Sequence, residues 1–239
     1  AEDGVHIENI RWEDDAQGPV KVYKKPEPGR PYVIGADTAG DGSDWFVGQV
    51  LDNVSGEQVA VLRHQYDEDT FSRQMYCLGK WYNDAMLAPE ANFSTYPVKL
   101  LDLMGYRNLY VREIEDTFDG TIRHAYGFRT DRLTRPVIIS ELIRVMREHL
   151  ETVNDEETLL EMLTFVRDEK QRAAAEPGAH DDCVMALAIA HYVRPQQTME
   201  VKRTAAAGTA AWTQDMWDDF ERAAPQEREM LLQKWGTPR

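Results

Sequence analysis

The chain has 239 residues, 42% hydrophobic and 10% aromatic, enough for one good-sized packed domain with extra segments. Its net charge of -15 argues, over the surface as a whole, against a nucleic-acid binder, because phosphate contacts need positive surface. No apolar run approaches the roughly 20 residues of a membrane helix, and the acidic start lacks the basic and apolar regions of a signal peptide, so an intracellular protein is expected.

Residues 1–30 are polar, with Pro26 and Pro28 close together, and are expected to be a linker entering a domain. Residues 32–36 form a short buried strand that delivers Asp37 to its end, where Thr38-Ala39-Gly40-Asp41-Gly42 turns the chain. Residues 45–51 and 58–62 are two further strands joined through Asn53-Val54-Ser55-Gly56, and three sequential strands imply an antiparallel meander. Phe71, Met75, Leu78 and Tyr82 recur at helical spacing, which predicts a helix over 69–85 capped by Asp69 or Thr70.

Met86-Leu87-Ala88-Pro89 is a second short apolar strand, and it ends in Glu90. Beyond it a helix is predicted over 94–104, a strand over 109–111 and a helix over 136–150 with Thr134 or Arg135 near its N-cap. Helices over 157–166 and 181–193 complete the series. Strands followed by alternating helices and strands mark an α/β domain with a mixed sheet over residues 31–195. Cys77 and Cys183 fall inside predicted helices among apolar neighbours, which suits buried thiols better than a disulfide or a zinc site. Residues 196–239 change character: a small-residue linker over 204–211 leads into an acidic, aromatic tail. There Trp212, Met216 and Phe220 share one helical face, and with Trp217 they are candidates for docking on a protein partner.

Three elements therefore place an acid at a terminus: Asp37, Glu90, and the pair Asp181-Asp182 that opens the apolar run from Cys183 to Val193. Each has an ordinary alternative. Asp37 suits a turn, as Asp41 and Asp44 do, and Glu90 suits a helix cap or a solvated position. Asp181 and Asp182 suit an N-cap and a first helical turn, where one of the two is expected to serve; His180 suits a simple hydrogen-bonding role. Taken together the acids form the set used by two-metal phosphoryl-transfer enzymes, in which cations about 3.5–4 Å apart act on the attacking and leaving oxygens. No Gly-x-Ser-x-Gly, phosphate loop or His-Glu-x-x-His motif offers a competing chemistry.

Four motifs in order carry a resemblance: Tyr32 to Gly40, Ala88 to Asn92, Tyr126 to Pro136, and Gly178 to Leu187. Over about residues 30–195 the chain resembles the C-terminal nuclease domain of the large terminase subunit of tailed bacteriophages. The resemblance implies an RNase H-like fold, a mixed central sheet flanked by helices, and an endonuclease that cuts double-stranded concatemeric viral DNA during genome packaging in the host cytoplasm. It further implies two Mg²⁺ or Mn²⁺ ions held by Asp37, Glu90 and Asp182 or Asp181. The family's N-terminal ATPase domain, with its phosphate loop, has no counterpart in these residues, so residues 1–30 are expected to be the end of an interdomain linker. That ATPase domain, the portal and the small terminase subunit are the implied protein partners.

Cations that would meet DNA phosphate are sought in the central cluster Arg123, Arg129, Arg132 and Arg135, with Lys170 and Arg172 in addition. A Holliday-junction resolvase or transposase shares acids on the same kind of sheet and is the alternative within the superfamily. A sugar kinase or actin-like ATPase needs a second duplicated domain that the chain is too short to supply. A non-catalytic packaging module, with the acids as structural caps, is the alternative outside enzymes.

Overall fold

Alternation along one short strand sets up the whole domain. In β2 (Tyr32–Asp37), Ile34 and Ala36 point into one apolar core and Val33 into another, so the strand is buried on both faces up to its last residue, Asp37. β3 (Phe46–Asp52) and β4 (Gln58–His64) follow as the expected antiparallel meander, and β5 (Met86–Pro89) pairs with β2 in parallel. The sheet has five strands in the order β1-β4-β3-β2-β5, with β1 (Val20–Val22) at one end of that order. In this computed structural model the described residues are Ile7, 10–38, 45–92, 94–115, 122–167 and 173–197, with Phe220, Ala223, Arg228, Leu231 and Leu232. The chain divides into two units, Ala1–Met199 and Glu200–Arg239.

β1 lies within the stretch expected to be a linker. It adds an edge to the sheet by pairing Val20 with Leu62 and Val22 with Ala60. Two apolar residues are too few to announce a strand; the edge of β4 and a hydrogen bond from the Tyr23 hydroxyl to Asp155 hold it instead. Trp12, further upstream, stacks on Trp81 with ring centroids 4.0 Å apart.

Helices cover both faces of the sheet. On one side lie α1 (Glu68–Trp81) and α2 (Tyr96–Leu103), which bury Phe71, Met75, Leu78, Leu100 and Leu101 with Ile34 and Leu87. Asp67, rather than Asp69 or Thr70, caps α1 by accepting from the Thr70 N–H at 2.7 Å; Asp69 pairs with Arg73 one turn on. On the other side are α3 (Thr134–Glu148), α4 (Glu156–Leu163) and α5 (Asp182–Val193). α5 is covered almost all round, with ten of its residues buried, as expected for an apolar helix at the centre of an α/β layer.

Two hairpins were not legible. β6 (Val111–Glu115) pairs with β7 (Ile122–Tyr126), whereas the sequence predicted a strand over 109–111 alone. The pairing leaves Ile114 and Tyr126 exposed, so neither face of the ribbon carries an apolar stripe that would mark it. α4 stops at Leu163, short of the expected 166, because β8 (Phe165–Arg167) follows and pairs with β9 (Ala173–Ala175). Among the described residues no helix is long and apolar enough to cross a membrane. Cys183 is buried in α5 and Cys77 partly buried in α1, both as free thiols.

Candidate active site

Two periodicities bring the acids together. With a repeat of two, Asp37 falls on the same face of β2 as Val33 and Gly35, and Glu90 continues the face of β5 that carries Met86 and Ala88. Ala36 registers with Pro89, and the Glu90 N–H donates to the Ala36 carbonyl at 2.9 Å, so Asp37 and Glu90 leave neighbouring parallel strands side by side. On α5, Asp182, Ala186 and Ala190 are successive members of an i, i+4 row, and Gly35 packs directly on Ala186 and Ala190. One turn before that contact, Asp182 arrives beside Asp37.

The electrostatics record this convergence. Burial pushes the Asp37 carboxyl well above its ordinary range, helped by a hydrogen bond with Glu90 and by the charges of Glu90, Asp182 and Asp181. Glu90 itself is only 5% exposed. Its Oε1 accepts from Asn92 Nδ2 at 2.8 Å, and the same amide is clamped to the Thr130 backbone, donating to the carbonyl at 2.7 Å and accepting the N–H at 3.0 Å. The segment after β7 is thus bound to Glu90 from two sides, since the Phe128 N–H also donates to the Pro89 carbonyl and the Ala91 N–H to the Phe128 carbonyl, flanking Glu90.

The acid pair divides its contacts differently from the expected sharing of a cap. Asp181 occupies the N-cap position without a side-chain cap hydrogen bond. Its Oδ2 instead accepts from Arg135 Nη2 at 2.7 Å. Asp182 accepts from the Trp45 N–H at 3.3 Å and stands 3.5 Å from His180 Nδ1. The free N–H groups of the first turn go to Glu161 of α4, whose Oε2 accepts from Cys183 N at 2.7 Å and Val184 N at 3.3 Å. One member of the pair does take the N-cap position, as expected, but its side chain makes no cap hydrogen bond; a third carboxylate accepts the N–H groups instead.

No protein-family model matches the chain. The large terminase nuclease from thermophilic phage G20c superposes with a TM-score of 0.56 at 22% identity, covering 74% of this chain and 90% of that one. Its magnesium-bound form gives 0.58 at 22% identity, over 74% and 89%. The large terminase nuclease domain of Thermus phage P74-26 gives 0.54 at 23% identity, over 74% and 86%. This chain has the fold of a large terminase nuclease domain. The terminase-nuclease fold is RNase H-like, and the mixed sheet with helices on both faces matches that expectation.

Within the terminase-nuclease fold the donor set suits a hard divalent cation. The converging side chains offer carboxylate oxygen, and the Asp37 carboxyl already favours whatever neutralises it, a proton or a cation. Among the described residues no three His, Cys, Asp or Glu side chains stand at metal-ligand spacing. Asp37 and Glu90 meet each other through their hydrogen bond.

The expected cations fall in different places. Arg129 and Arg132 are exposed just beyond Phe128, and Arg129 lines a polar cleft of about 810 Å³ with Arg112, His124 and Asp131. Arg135 is engaged by Asp181 and by the Ala173 carbonyl at 3.3 Å. Arg123 lies on β7 opposite Ile114, with its side chain outside the described residues, as are Lys170 and Arg172. Trp212, Met216 and Trp217 also lie outside them; Phe220 is described, with the Arg228 guanidinium 5.4 Å from its ring centroid. Glu161, Arg112 and His124 have no role in the sequence reading, and Asn92 stands there only as the end of the Ala88 to Asn92 motif. Glu161 did leave a trace, as a lone acid inside Leu159-Leu160-Glu161-Met162-Leu163.

Proposed function

We propose that this domain is a metal-dependent endonuclease that hydrolyses double-stranded DNA in phage genome packaging. The observation that carries the reading is the convergence of Glu90, Asp181 and Asp182 on the Asp37 carboxyl at the ends of β2, β5 and the start of α5. The likeness in fold to nucleases crystallised with magnesium is consistent with it.

Asp37, Glu90 and Asp182 are the residues that would hold two Mg²⁺ or Mn²⁺ ions. Asp181 is the lesser partner because Arg135 already balances its charge. When bound, such ions supply Lewis-acid stabilisation of the attacking and leaving oxygens in an in-line displacement. The chain's own groups do the positioning. Asn92 turns the Glu90 carboxylate toward the site, and the Trp45 N–H restrains Asp182. Arg129 and Arg132, with Arg112 and His124 in the adjoining cleft, are placed to meet backbone phosphate, which supplies affinity without sequence preference. An overall charge of -15 makes that binding weak and strongly dependent on salt.

The protein partners in this reading are an ATPase domain of the same large subunit, the portal and the small subunit. Trp212, Met216, Trp217 and Phe220 are assigned to docking on one of them; unchanged portal binding after deletion beyond Pro195 counts against that assignment. The decisive experiment is nicking of supercoiled plasmid in Mn²⁺. Cleavage by the wild-type chain, lost in EDTA and in Asp37→Asn, is expected. Equal cleavage by Asp37→Asn overturns the proposal.

A further inference from the structure

Glu161 is a buried carboxylate, 8% exposed, which makes no contribution to the set of acids around Asp37. Burying a carboxylate costs several kcal/mol unless its charge is answered, and burial does raise the Glu161 carboxyl above its ordinary range. The hydrogen bonds from Cys183 and Val184 oppose that rise, as does the Arg63 guanidinium. Arg63 Nη2 stands 3.9 Å from Oε1, and its guanidinium stacks 3.9 Å from the centroid of Trp45, the residue whose N–H reaches Asp182.

Glu161 is held rigidly by its own helix. Asp155 caps α4 by accepting from Thr158 N at 2.8 Å and Thr158 Oγ1 at 2.7 Å, and Gln58 Oε1 accepts the N–H groups of Asn154 and Asp155, both at 2.6 Å. Gln49 of β3 completes the network: its Nε2 donates to Thr158 Oγ1 at 2.9 Å and to the Cys183 carbonyl at 3.3 Å. Thr158 and Glu161 are three residues apart on one face of α4, so the helical turn that accepts the N–H groups of Cys183 and Val184 also holds Gln49, the donor to the Cys183 carbonyl.

We propose that Glu161 is a positioning residue for the metal-facing end of α5. By taking over the cap, it fixes where Asp182 emerges and relieves both members of the acid pair of a duty that would turn their oxygens back toward the helix. The proposal rests on the nuclease reading for its consequence in metal binding, while the cap itself stands on the hydrogen bonds. Positioning partners of metal ligands typically alter metal affinity by about 10–100-fold when removed.

The test compares Glu161→Leu, which removes the acceptor, with Glu161→Gln, which keeps an acceptor oxygen and loses the charge. Mn²⁺ is titrated against each full chain and followed by thermal shift and by plasmid nicking; amide exchange of Cys183 and Val184 is measured without metal. The expected result is a half-saturating Mn²⁺ concentration raised about 10–100-fold in Glu161→Leu, near wild type in Glu161→Gln, with faster exchange of both amides in the Leu variant. Met104→Ala, a core change at the C-cap of α2, controls for lost stability and is expected to leave the Mn²⁺ midpoint unchanged. A Glu161→Leu midpoint equal to wild type overturns positioning, as does a Glu161→Gln midpoint shifted as far as the Leu variant, which assigns the effect to charge. A Met104→Ala midpoint that moves equally assigns it to stability. Wild-type protein that neither binds Mn²⁺ nor cleaves overturns the nuclease reading and the metal consequence with it. Protected Cys183 and Val184 amides that Glu161→Leu releases then sustain the cap alone.

Discussion

Gly35 lies against the backbone of Ala190 so closely that even a methyl group on Gly35 would overlap it and the Ala186 carbonyl. Two residues later the same strand ends in Asp37, and one turn earlier than Ala186 the same helix begins at Asp182, so this contact sets the spacing of the site. Gly35→Ala is expected to destabilise the domain by at least the 1–3 kcal/mol or so of an overpacked core, because the obstructing atoms are backbone. Gly29→Ala, at a φ of 75° with nothing within 4 Å of the added methyl, is expected to lose only about 1–2 kcal/mol from the left-handed backbone. Chemical denaturation of both variants measures the difference, and equal losses would refute the close approach as the cause.

Asp37 makes stability depend on pH in an unusual direction. Its folded carboxyl is raised above the ordinary 3.8, so the folded chain holds a proton that the unfolded chain has released. The favourable contribution is present at low pH and is lost as pH rises from that ordinary value through the raised one. In metal-free buffer Asp37→Asn is expected to raise the melting temperature near pH 8 and to change it little near pH 4. On the proposed reading Mg²⁺ or Mn²⁺ competes with the same proton, so metal is expected to stabilise wild-type protein more at pH 8 than at pH 5. Thermal melts over a pH series with and without Mn²⁺ check both statements.

His191 acts in the opposite sense. It is 5% exposed, its two ring nitrogens have no hydrogen-bond partner among the described residues, and burial, reinforced by Arg194 and more weakly by Arg144 against an opposing pull from Glu141, lowers its pKa from 6.5 to about 3. The unfolded chain takes up this proton first, so stability falls as pH drops from about 6.5 toward 3. At about 1.4 kcal/mol per unit, the effect amounts to a few kcal/mol. His191→Leu is expected to flatten that acid limb without changing the melting temperature's response to Mn²⁺, as read from melts at pH 4 to 7.

Asn92 gives the site a hinge-free link to the segment after β7. Asn92→Leu leaves the Thr130 N–H and carbonyl and one Glu90 oxygen without this partner, and is expected to cost roughly 1–3 kcal/mol together with most of the nicking activity. Asn92→Asp keeps an acceptor for Thr130 N–H but sets a second carboxylate against Glu90. It is expected to lose activity at low Mn²⁺ and to recover part of it at high Mn²⁺. Plasmid nicking over a metal series separates the two variants.

What the sequence disclosed and what it hid follow from one distinction. Asp37 and Glu90 stand out because each ends a short continuous apolar run, and Asp181-Asp182 because it opens a long apolar one; local pattern alone announces them. Asn92 and Glu161 act across 38 and 22 residues of chain, on Thr130 and Cys183, and apart from the apolar neighbours of Glu161 nothing local distinguishes them from a loop amide and a surface helix acid. The same holds for β1 and for the β6–β7 ribbon, which owe their form to a neighbouring strand rather than to an apolar stripe. Arg135 shows the other side of that distinction. Its place in a basic cluster pointed to phosphate, whereas its guanidinium is turned onto Asp181.

The all-round burial of α5 has a mechanical consequence. A helix with an exposed back can tilt or slide when its end is pulled, but α5 has the sheet beneath it and α3 and α4 above it, so its first turn travels only if both layers part. On the nuclease reading proposed above, cleavage would then be governed by what reaches the acids from outside and when, while the carboxylates themselves stay set.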